Sequence, residues 1–371
     1  MLSTIELSSA AIRHNYNLFC LLAGKERVAP VLKSNAYGHG LAEVYQVLAS
    51  ESPAWICVNY VAEGAKLRGF GYSGRILVVG PAVAREIPVA TALDLDLVLG
   101  NQAVLAAWLQ AGAPGRIHIK IDTGMSRQGF ALSEAAVVAQ LLDPHRAKIV
   151  GLCTHFANVE DVTDHGYATK QLEVFKRAAK VFADAGFQLM LHAASSASAL
   201  IMTKSHFDLV RVGISLYGSW PSPLTRVSYL QLQNQVLDLQ PVLSWRTEVT
   251  TVRPVDAGQF IGYGCTFRAI RDMRVAVLPV GYYEGYPRIA GEAASYVLIR
   301  GARCPIVGRI CMNMMMVDTT HLPTVEVGDQ VTLIGTDGND EVSAQDLAGW
   351  ARTIHYELLT RLHPDIPRQL V

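Results

Sequence analysis

The chain has 371 residues, half of them hydrophobic and 17% charged, so it is long enough to bury one or two substantial cores and has no disordered character. Lysine plus arginine and aspartate plus glutamate balance at 32 each, and no block of like charge supports capture of nucleic acid or of an anionic membrane. A small-molecule partner is therefore the better expectation.

The N-terminal segment and the cysteines both indicate a reducing, cytoplasmic location. Glu6 and Arg13 interrupt the segment where a signal peptide needs an unbroken apolar region. The longest uncharged stretch, residues 97–115, combines Asn, Gln, Pro and Gly residues that a bilayer-spanning helix rarely contains together. The six cysteines lack the paired spacing of zinc or redox sites, so we expect free thiols and no metal.

Eight short β-rich or apolar runs recur between residues 28 and 215. They are Val28 to Lys33, Trp55 to Asn59, Ile76 to Gly80, Asp96 to Gly100, Ile117 to Asp122, Ile149 to Phe156, Leu189 to Ser195, and Leu209 to Ser215. The segments between them carry apolar residues at helical spacing, as in residues 42–48, 134–142 and 171–185. This alternation predicts an α/β fold, a closed parallel (β/α)8 TIM-type barrel within residues 1–235.

After about residue 235 the sequence changes to extended segments rich in Val, Thr and turn residues. These segments are residues 243–255, 274–280, 296–300 and 330–334. One helix is predicted from Ser343 to Leu362, with Ser343 as its N-cap and Asp346 three residues on. The pattern predicts a C-terminal β-rich domain, residues 236–371, which the first few residues of the chain are expected to join.

Polar residues stand at the ends of several predicted barrel strands. Lys33 ends the first, Lys120 the fifth and His155 the sixth, Ser196 follows the seventh, and Arg211 lies in the eighth. Because the loops after parallel barrel strands converge on one mouth, we expect these side chains to lie close together.

Lys33 has the sequence context of a reactive lysine. It ends an apolar strand and is followed by small residues and glycines, which let a ligand approach the backbone. Partial desolvation lowers the pKa of a lysine and favours the neutral amine, the form that attacks an aldehyde. From placement alone, a surface lysine at the start of a loop is the commoner explanation.

Residues 32–40, Leu-Lys-Ser-Asn-Ala-Tyr-Gly-His-Gly, closely resemble the lysine motif on which the alanine racemase family carries pyridoxal 5′-phosphate (PLP). The resemblance continues in residues 120–127, 154–157, 192–197, 211–214, 263–264, 281–288 and 308–312. Eight ordered matches are hard to obtain by chance. The resemblance implies an isomerase that interconverts L-alanine and D-alanine and supplies D-alanine for peptidoglycan.

The resemblance also implies how the cofactor is held. Lys33 would carry PLP and act as the base on one face of the substrate, Tyr37 would bond the phosphate, and Arg211 would donate to the pyridine nitrogen. Since a guanidinium has no acceptor and stays charged, it leaves that nitrogen unprotonated, which disfavours transamination and decarboxylation. The family's remaining phosphate contacts match Ser196, Gly213 and Ile214.

Racemisation needs a second acid or base on the opposite face. The resemblance assigns this role to Tyr263 of a second subunit, so a homodimer would complete the site. His155 would lie near the PLP ring, in a network with that tyrosine, while Arg127 and the amide of Met312 would meet the substrate carboxylate. Lys120 matches a position that many relatives carbamylate to orient Arg127; an unmodified ammonium, or a chloride at the site, stays open.

Five residues at four sites depart from the family pattern near the expected substrate entrance. Pro364 falls where relatives carry a tyrosine, Asn313 where Asp is usual, Tyr283-Glu284 where Ala-Asp is usual, and Ser195 where Asn is usual. A serine or broader-specificity racemase therefore stays open as an alternative.

Two further rivals are disfavoured. A PLP decarboxylase of the same architecture would place a carboxylate, not Arg211, against the pyridine nitrogen. A non-catalytic PLP-binding barrel would lack the second domain and Tyr263.

Overall fold

The computed structural model describes residues 1–234 and 236–371. They form two compact units: a barrel unit of residues 10–36 and 44–241, and a β unit of residues 1–9, 37–43 and 242–371. The predicted domain boundary after residue 235 falls on the one residue outside the described part of the chain. The β unit is assembled from three separate stretches of sequence.

The first strand, β1 (Ser3–Leu7), belongs to the β unit, and the next eight strands form the barrel. They are β2 (Val28–Pro30), β3 (Trp55–Val58), β4 (Arg75–Val78), β5 (Leu95–Leu99), β6 (Ile117–Lys120), β7 (Ile149–Cys153), β8 (Met190–His192) and β9 (Val210–Val212). Strands β3 to β8 form one parallel sheet in sequence order, and β2 pairs in parallel with β9. A bridge from Val31 to Cys57 joins β2 to β3, and the Arg211 N–H donates to the Ala194 carbonyl just beyond β8. The eight predicted runs and the (β/α)8 class are confirmed.

Helices alternate with these strands. They are α1 (Ser9–Ala23), α2 (Leu41–Ala49), α3 (Val61–Gly69), α4 (Ile87–Ala92), α5 (Gln102–Gln110), α6 (Ala135–Leu142), α7 (Gly166–Asp184), α8 (Ser196–Ile201) and α9 (Pro223–Gln233). In α7, buried Ala168, Leu172, Phe175 and Phe182 recur at helical spacing, which gives the helix one apolar face. All five residues of β5 are buried, as in a parallel strand covered on both faces. Among the described residues, no helix is both long and apolar enough to cross a bilayer.

The β unit contains eleven more strands. They are β10 (Leu243–Glu248), β11 (Thr251–Val255), β12 (Phe260–Ile261), β13 (Phe267–Arg268), β14 (Met273–Leu278), β15 (Tyr296–Ile299), β16 (Ala302–Pro305), β17 (Met315–Asp318), β18 (Gln330–Asp337), β19 (Asp340–Val342) and β20 (Arg368–Leu370). The larger sheet has the order β16-β15-β18-β10-β1-β20, and β11, β14 and β17 form a second sheet. Ile5 of β1 lies opposite Trp245 in antiparallel register and opposite Arg368 in parallel register. The β-rich C-terminal region is confirmed.

The single helix predicted from Ser343 to Leu362 is wrong. Two short helices occur instead, α10 (Ala344–Trp350) and α11 (His355–Thr360). The predicted cap is present, since the Ser343 hydroxyl accepts from the Asp346 N–H at 3.0 Å. Arg352 adopts a left-handed φ of 54°, and the Thr353 hydroxyl donates to the Glu357 carboxylate, a local contact that favours a new helix start.

Candidate active site

Lys33 opens one turn of left-handed backbone shortly after β2. The next four residues, Ser34 to Tyr37, have φ values between 53° and 56°. Left-handed backbone costs roughly 1–2 kcal/mol for each non-glycine residue. Such strain persists only where neighbouring groups over-determine the conformation, and it clusters at functional sites.

Glu63 ties this turn to the loop after β3. Its Oε1 accepts from the Ser34 N–H at 2.6 Å, and its Oε2 accepts from the N–H groups of Asn59 at 2.7 Å and Tyr60 at 3.2 Å. Glu63 is not predicted from the sequence as a site residue. An acidic residue in the first turn of α3 could have indicated a role for Glu63 at the helix start. Tyr60 hides this signal, because the capping-box pattern usually has Ser or Thr at that position.

The environment of Lys33 favours its neutral amine. Lys33 is half-buried, and burial lowers its pKa; the positive charges of Arg127 and Arg211 lower it further, against the opposing charge of Glu63. A lowered pKa increases the fraction of amine with a free lone pair at neutral pH. This is the condition that the sequence predicts for a lysine that attacks an aldehyde.

Arg211 is buried and has no carboxylate in hydrogen-bond contact among the residues described. Its Nη1 lies 2.7 Å from Nδ1 of His192, and its Nη2 donates to the carbonyls of Thr154 at 2.9 Å and Ala193 at 3.2 Å. These contacts use three of the five guanidinium N–H groups. Within residues 1–234 and 236–371, no other hydrogen bond of this side chain is seen for the remaining two. His192 lies in a matched motif, but no role is predicted for it from the sequence.

Lys120 and His155 share this positive environment. Lys120 is buried and donates from Nζ to Oε1 of Gln128 at 3.3 Å; burial lowers its pKa, and the charges of Arg211 and Arg127 add to the effect. Burial, then Arg211 and Lys120, hold the pKa of His155 well below its usual value. His155 is therefore a neutral imidazole at physiological pH.

Five predicted residues thus lie in one electrostatic environment: Lys33, Lys120, Arg127, His155 and Arg211. Arg127 is exposed, whereas the other four are buried or half-buried. Cationic groups outnumber carboxylates here, which suits an anionic ligand.

A cradle of polar backbone follows strands β8 and β9. The Ser196 hydroxyl accepts from the N–H groups of Gly213 at 2.9 Å and Ser215 at 3.4 Å. Ile214 lies between these two donors and is fully buried. Within residues 1–234 and 236–371, the buried Ser215 hydroxyl has no hydrogen-bond partner. The three predicted phosphate contacts, Ser196, Gly213 and Ile214, therefore lie together.

The other three predicted site residues belong to the β unit. Tyr263 lies between β12 and β13, flanked by Gly262 and Gly264 with φ of 78° and 75°, and 71% of its side chain is exposed. Met312 is also exposed. Tyr37 is buried, and the centroid of its ring lies 6.2 Å from that of the Tyr356 ring.

The glycines after Lys33 pack closely against other parts of the β unit. That they also let a ligand approach the backbone stays a prediction. A Cβ at Gly38 would overlap the carbonyl oxygen of Leu359, and one at Gly40 would overlap the carboxylate of Glu43. Gly38 also has a φ of 83° and accepts from the guanidinium of Arg368 at 2.8 Å and 3.0 Å. Both glycines permit a close approach between segments of the β unit.

Two departures from the family pattern contact each other. Asn313 donates from Nδ2 to Oε1 of buried Glu284 at 2.7 Å, and Oε2 of Glu284 accepts from the Gly281 N–H at 2.8 Å. The neighbouring Tyr283 N–H donates to the Met312 carbonyl at 2.9 Å. The pair therefore joins the loop after β14 to the loop that carries Met312.

Two family models match the chain: the alanine racemase N-terminal domain over residues 7–221, and the alanine racemase C-terminal domain over residues 242–370. A curated alanine racemase from Leptospira interrogans is 37% identical over 376 residues, covering all of this chain and 96% of that protein. The crystal structure of alanine racemase from E. faecalis has a TM-score of 0.90 at 30% identity, covering all of this chain and 98% of that one. The biosynthetic enzyme of that name from Pseudomonas aeruginosa has a TM-score of 0.86 at 33% identity, with coverage of 100% and 99%.

Proposed function

Because the chain belongs to the alanine racemase family, we propose that it interconverts L-alanine and D-alanine with PLP carried on Lys33. One observation carries this proposal: a half-buried lysine of lowered pKa lies just after a barrel strand, and the positive charge of buried Arg211 helps to lower that pKa. The product D-alanine would supply peptidoglycan synthesis, and we propose a cytoplasmic location for the enzyme.

The residues present fit PLP, whose phosphate and phenolic oxygen are anionic. The cationic environment around Lys33 complements that charge. The unpartnered hydroxyl of Ser215 and the O–H of Ser196, whose oxygen accepts from two backbone N–H groups, offer hydrogen-bond donors to a phosphate. Tyr37 and Ile214 would complete the phosphate contacts. When bound, PLP withdraws electrons from the substrate α-carbon and so acidifies its C–H bond.

Lys33 would move the proton on one face of the substrate. Its amine must hold no proton before it accepts one, and the lowered pKa supports this state. Arg211 would donate one of its two remaining N–H groups to the pyridine nitrogen. Burial lowers the pKa of Arg211, but a guanidinium stays protonated in proteins and so does not hand over its proton. The ring nitrogen then stays unprotonated, which favours simple proton exchange over other reactions.

We propose that the partner subunit's Tyr263 supplies the acid and base on the opposite face. Its exposure in this chain and its position between two glycines of positive φ support an extension toward a second copy. The imidazole of His155, kept neutral by its lowered pKa, would accept a hydrogen bond from that phenol and orient it. A homodimer would then be the active form.

The substrate carboxylate would be bound by Arg127 and by the backbone N–H of Met312. Lys120 would orient Arg127 once it is carbamylated. A buried lysine of lowered pKa has more neutral amine, and the neutral amine is the form that carbon dioxide modifies. The modification would replace a cation by an anion beside the guanidinium.

A broader substrate range is a second candidate, and Pro364 favours it. Pro364 has no phenol where relatives carry a tyrosine, although the ring of the neighbouring His363 stacks on Tyr283 with centroids 4.6 Å apart. Turnover of L-serine and L-lysine beside L-alanine distinguishes the candidates.

Time-resolved chiral chromatography of the purified protein with PLP tests the proposal. We expect L-alanine and D-alanine to reach the same racemic mixture from either side, with L-serine much slower. Faster serine turnover would keep the chemistry and change the substrate. If L-alanine, L-serine and L-lysine all keep their configuration, the proposed function is refuted.

A further inference from the structure

A line of buried polar side chains leads away from Arg211 through strands β8, β6 and β5. Nδ1 of His192 lies 2.7 Å from Arg211 Nη1, and Nε2 of His192 lies 2.9 Å from Nδ1 of His118. Nε2 of His118 lies 3.3 Å from Oδ2 of Asp96. His192, His118 and Asp96 are all completely buried.

Hydrogen-bond chemistry allows one arrangement of protons along this line. A guanidinium only donates, so Nδ1 of His192 must accept, and a neutral His192 carries its proton on Nε2. That N–H donates to Nδ1 of His118, which leaves the His118 proton on Nε2, facing the Asp96 carboxylate. Burial lowers the pKa of both histidines, which keeps both imidazoles neutral.

Asp96 is suited to anchor the far end as an anion. Its Oδ1 accepts from Nε of Arg116 at 2.8 Å, and its Oδ2 contacts the guanidinium of Arg75. Burial opposes its ionisation, but the hydrogen bond from His118 and the charge of Arg75 outweigh burial and lower its pKa. A carboxylate accepts and never donates, so it fixes the direction of every bond from there to Arg211.

We propose that Asp96 and His118 are positioning residues that fix the tautomer of His192, so that its Nδ1 lone pair always faces Arg211. Held in this way, the guanidinium keeps one orientation although no carboxylate in the described part of the chain makes a hydrogen bond to it. Polarised hydrogen bonds strengthen one another in a low-dielectric interior. The consequence for catalysis rests on the proposed function, in which Arg211 meets the cofactor ring.

The simpler alternative is that Asp96 only neutralises two arginines on neighbouring strands. Asp94 provides a matched control, because it pairs with the same Arg116 at 2.8 Å but is largely exposed and does not contact His118 or His192. Asp94→Asn removes one carboxylate from Arg116 and leaves the line intact. Asp96→Asn leaves one amide oxygen for two arginines and His118, and its NH2 group cannot accept.

His118→Phe is a second variant that interrupts the line without touching the arginine cluster. A phenyl ring can retain the edge contact that His118 makes with the Trp55 ring, whose centroid is 5.8 Å away. It offers no acceptor to Nε2 of His192. His192 can then move its proton to Nδ1, which would turn the acceptor for Arg211 into a donor.

Nitrogen-15 NMR of histidine-labelled protein without PLP measures the tautomer directly. We expect His192 to be purely Nε2–H in wild type and Asp94→Asn, and to gain an Nδ1–H population in Asp96→Asn and His118→Phe. A pure Nε2–H form in both of those variants would overturn the proposal, because Arg211 alone would then select the tautomer. If Asp96→Asn does not fold, His118→Phe decides.

Steady-state kinetics of the PLP-loaded variants test the consequence for catalysis separately from the tautomer. Misplacement of Arg211 should lower kcat for alanine in Asp96→Asn and His118→Phe without raising KM, and leave Asp94→Asn unchanged. If the wild type does not racemise alanine, the proposed function fails while the NMR result still decides the tautomer. An unchanged kcat in variants with an altered tautomer would refute the positioning role.

Discussion

The carboxylate of Glu63 accepts a hydrogen bond from the backbone N–H of Ser34 at 2.6 Å. This bond joins the first helical turn after β3 to the left-handed turn that follows Lys33. A strained turn needs such outside support, because its residues would otherwise relax to right-handed or extended backbone. The position of the Lys33 amine is thus partly set by a residue thirty positions later in the chain.

Glu63→Gln should destabilise the barrel unit. A glutamine offers one oxygen to three backbone N–H groups, so at least one donor loses a charged acceptor, at a cost of about 1–2 kcal/mol. The free energy of unfolding in urea measures the loss. Glu173→Gln is the matched control, because Glu173 is exposed and forms a surface pair with Lys176, so its loss should stay below about 0.5 kcal/mol. Equal effects of the two substitutions would show that Glu63 does not support the turn.

The barrel could be predicted from the sequence because each buried parallel strand is a run of apolar residues. The site was only partly predictable from motifs. Asp96 sits inside an apolar run, and nothing in its local pattern indicates that His118, 22 residues later, reaches its carboxylate. Glu63 was missed for the same reason, since its partner lies in another βα loop.

Local sequence pattern also failed to predict structure where contacts and backbone conformation outside that pattern determine it. Residues 343–362 have helical spacing throughout, yet the left-handed Arg352 and the contact between Thr353 and Glu357 divide them into two helices. Local pattern likewise gives no sign that the backbone of Leu359 and the side chain of Glu43 lie where the Cβ atoms of Gly38 and Gly40 would be.

Borohydride reduction of the PLP-loaded protein should attach the cofactor irreversibly to Lys33. The lowered pKa makes its amine more reactive than that of an exposed lysine such as Lys180, which pairs with Asp184. Peptide mass spectrometry locates the label. Lys33→Ala should remove it, whereas Lys180→Ala should leave it unchanged. A label that persists on another lysine in Lys33→Ala would assign the cofactor elsewhere.

Tyr263→Phe should remove most racemase activity while PLP stays bound. The phenol would hold the proton on one face only, so abstraction from L-alanine and from D-alanine should slow by different factors. Solvent deuterium incorporation, measured separately from each enantiomer, gives the two rates. Tyr296→Phe controls for loss of a phenol, since that ring packs beside Trp350 within the β unit. Wild-type rates in both directions would exclude a two-base scheme that uses Tyr263.

Asn313→Asp should destabilise the β unit at neutral pH. It would bring a second carboxylate to a place where an amide N–H now meets Glu284 at 2.7 Å, and like charges this close cannot both ionise freely. The expected loss is about 1–3 kcal/mol. Combining Asn313→Asp with Glu284→Gln exchanges the two groups and should recover much of the loss in a double-mutant cycle. Additive losses would mean that the contact does not couple the two loops.

Asp122 should make the stability of the loop before Arg127 fall at acidic pH. Its Oδ1 accepts from the N–H groups of Gly124, Met125 and Ser126 at 2.9, 2.9 and 3.1 Å. Burial opposes ionisation of Asp122, but these backbone donors outweigh burial and lower its pKa. A carboxyl with a lowered folded-state pKa adds stability that is complete above the unfolded pKa, about 3.9, and is lost as the pH falls through the folded value.

Asp122→Asn keeps an oxygen acceptor but loses the charge, so it should cost about 1 kcal/mol at pH 7. The difference from wild type should shrink below about pH 4, because the wild-type carboxyl is then being protonated and loses the same charge. Urea unfolding of both proteins between pH 7 and pH 3 measures this convergence. Asp164→Asn, which affects an exposed carboxylate with one backbone contact to Gly166, should show a smaller difference at every pH. A gap between wild type and Asp122→Asn that stays constant with pH would mean that the charge of Asp122 does not hold the loop that carries Arg127.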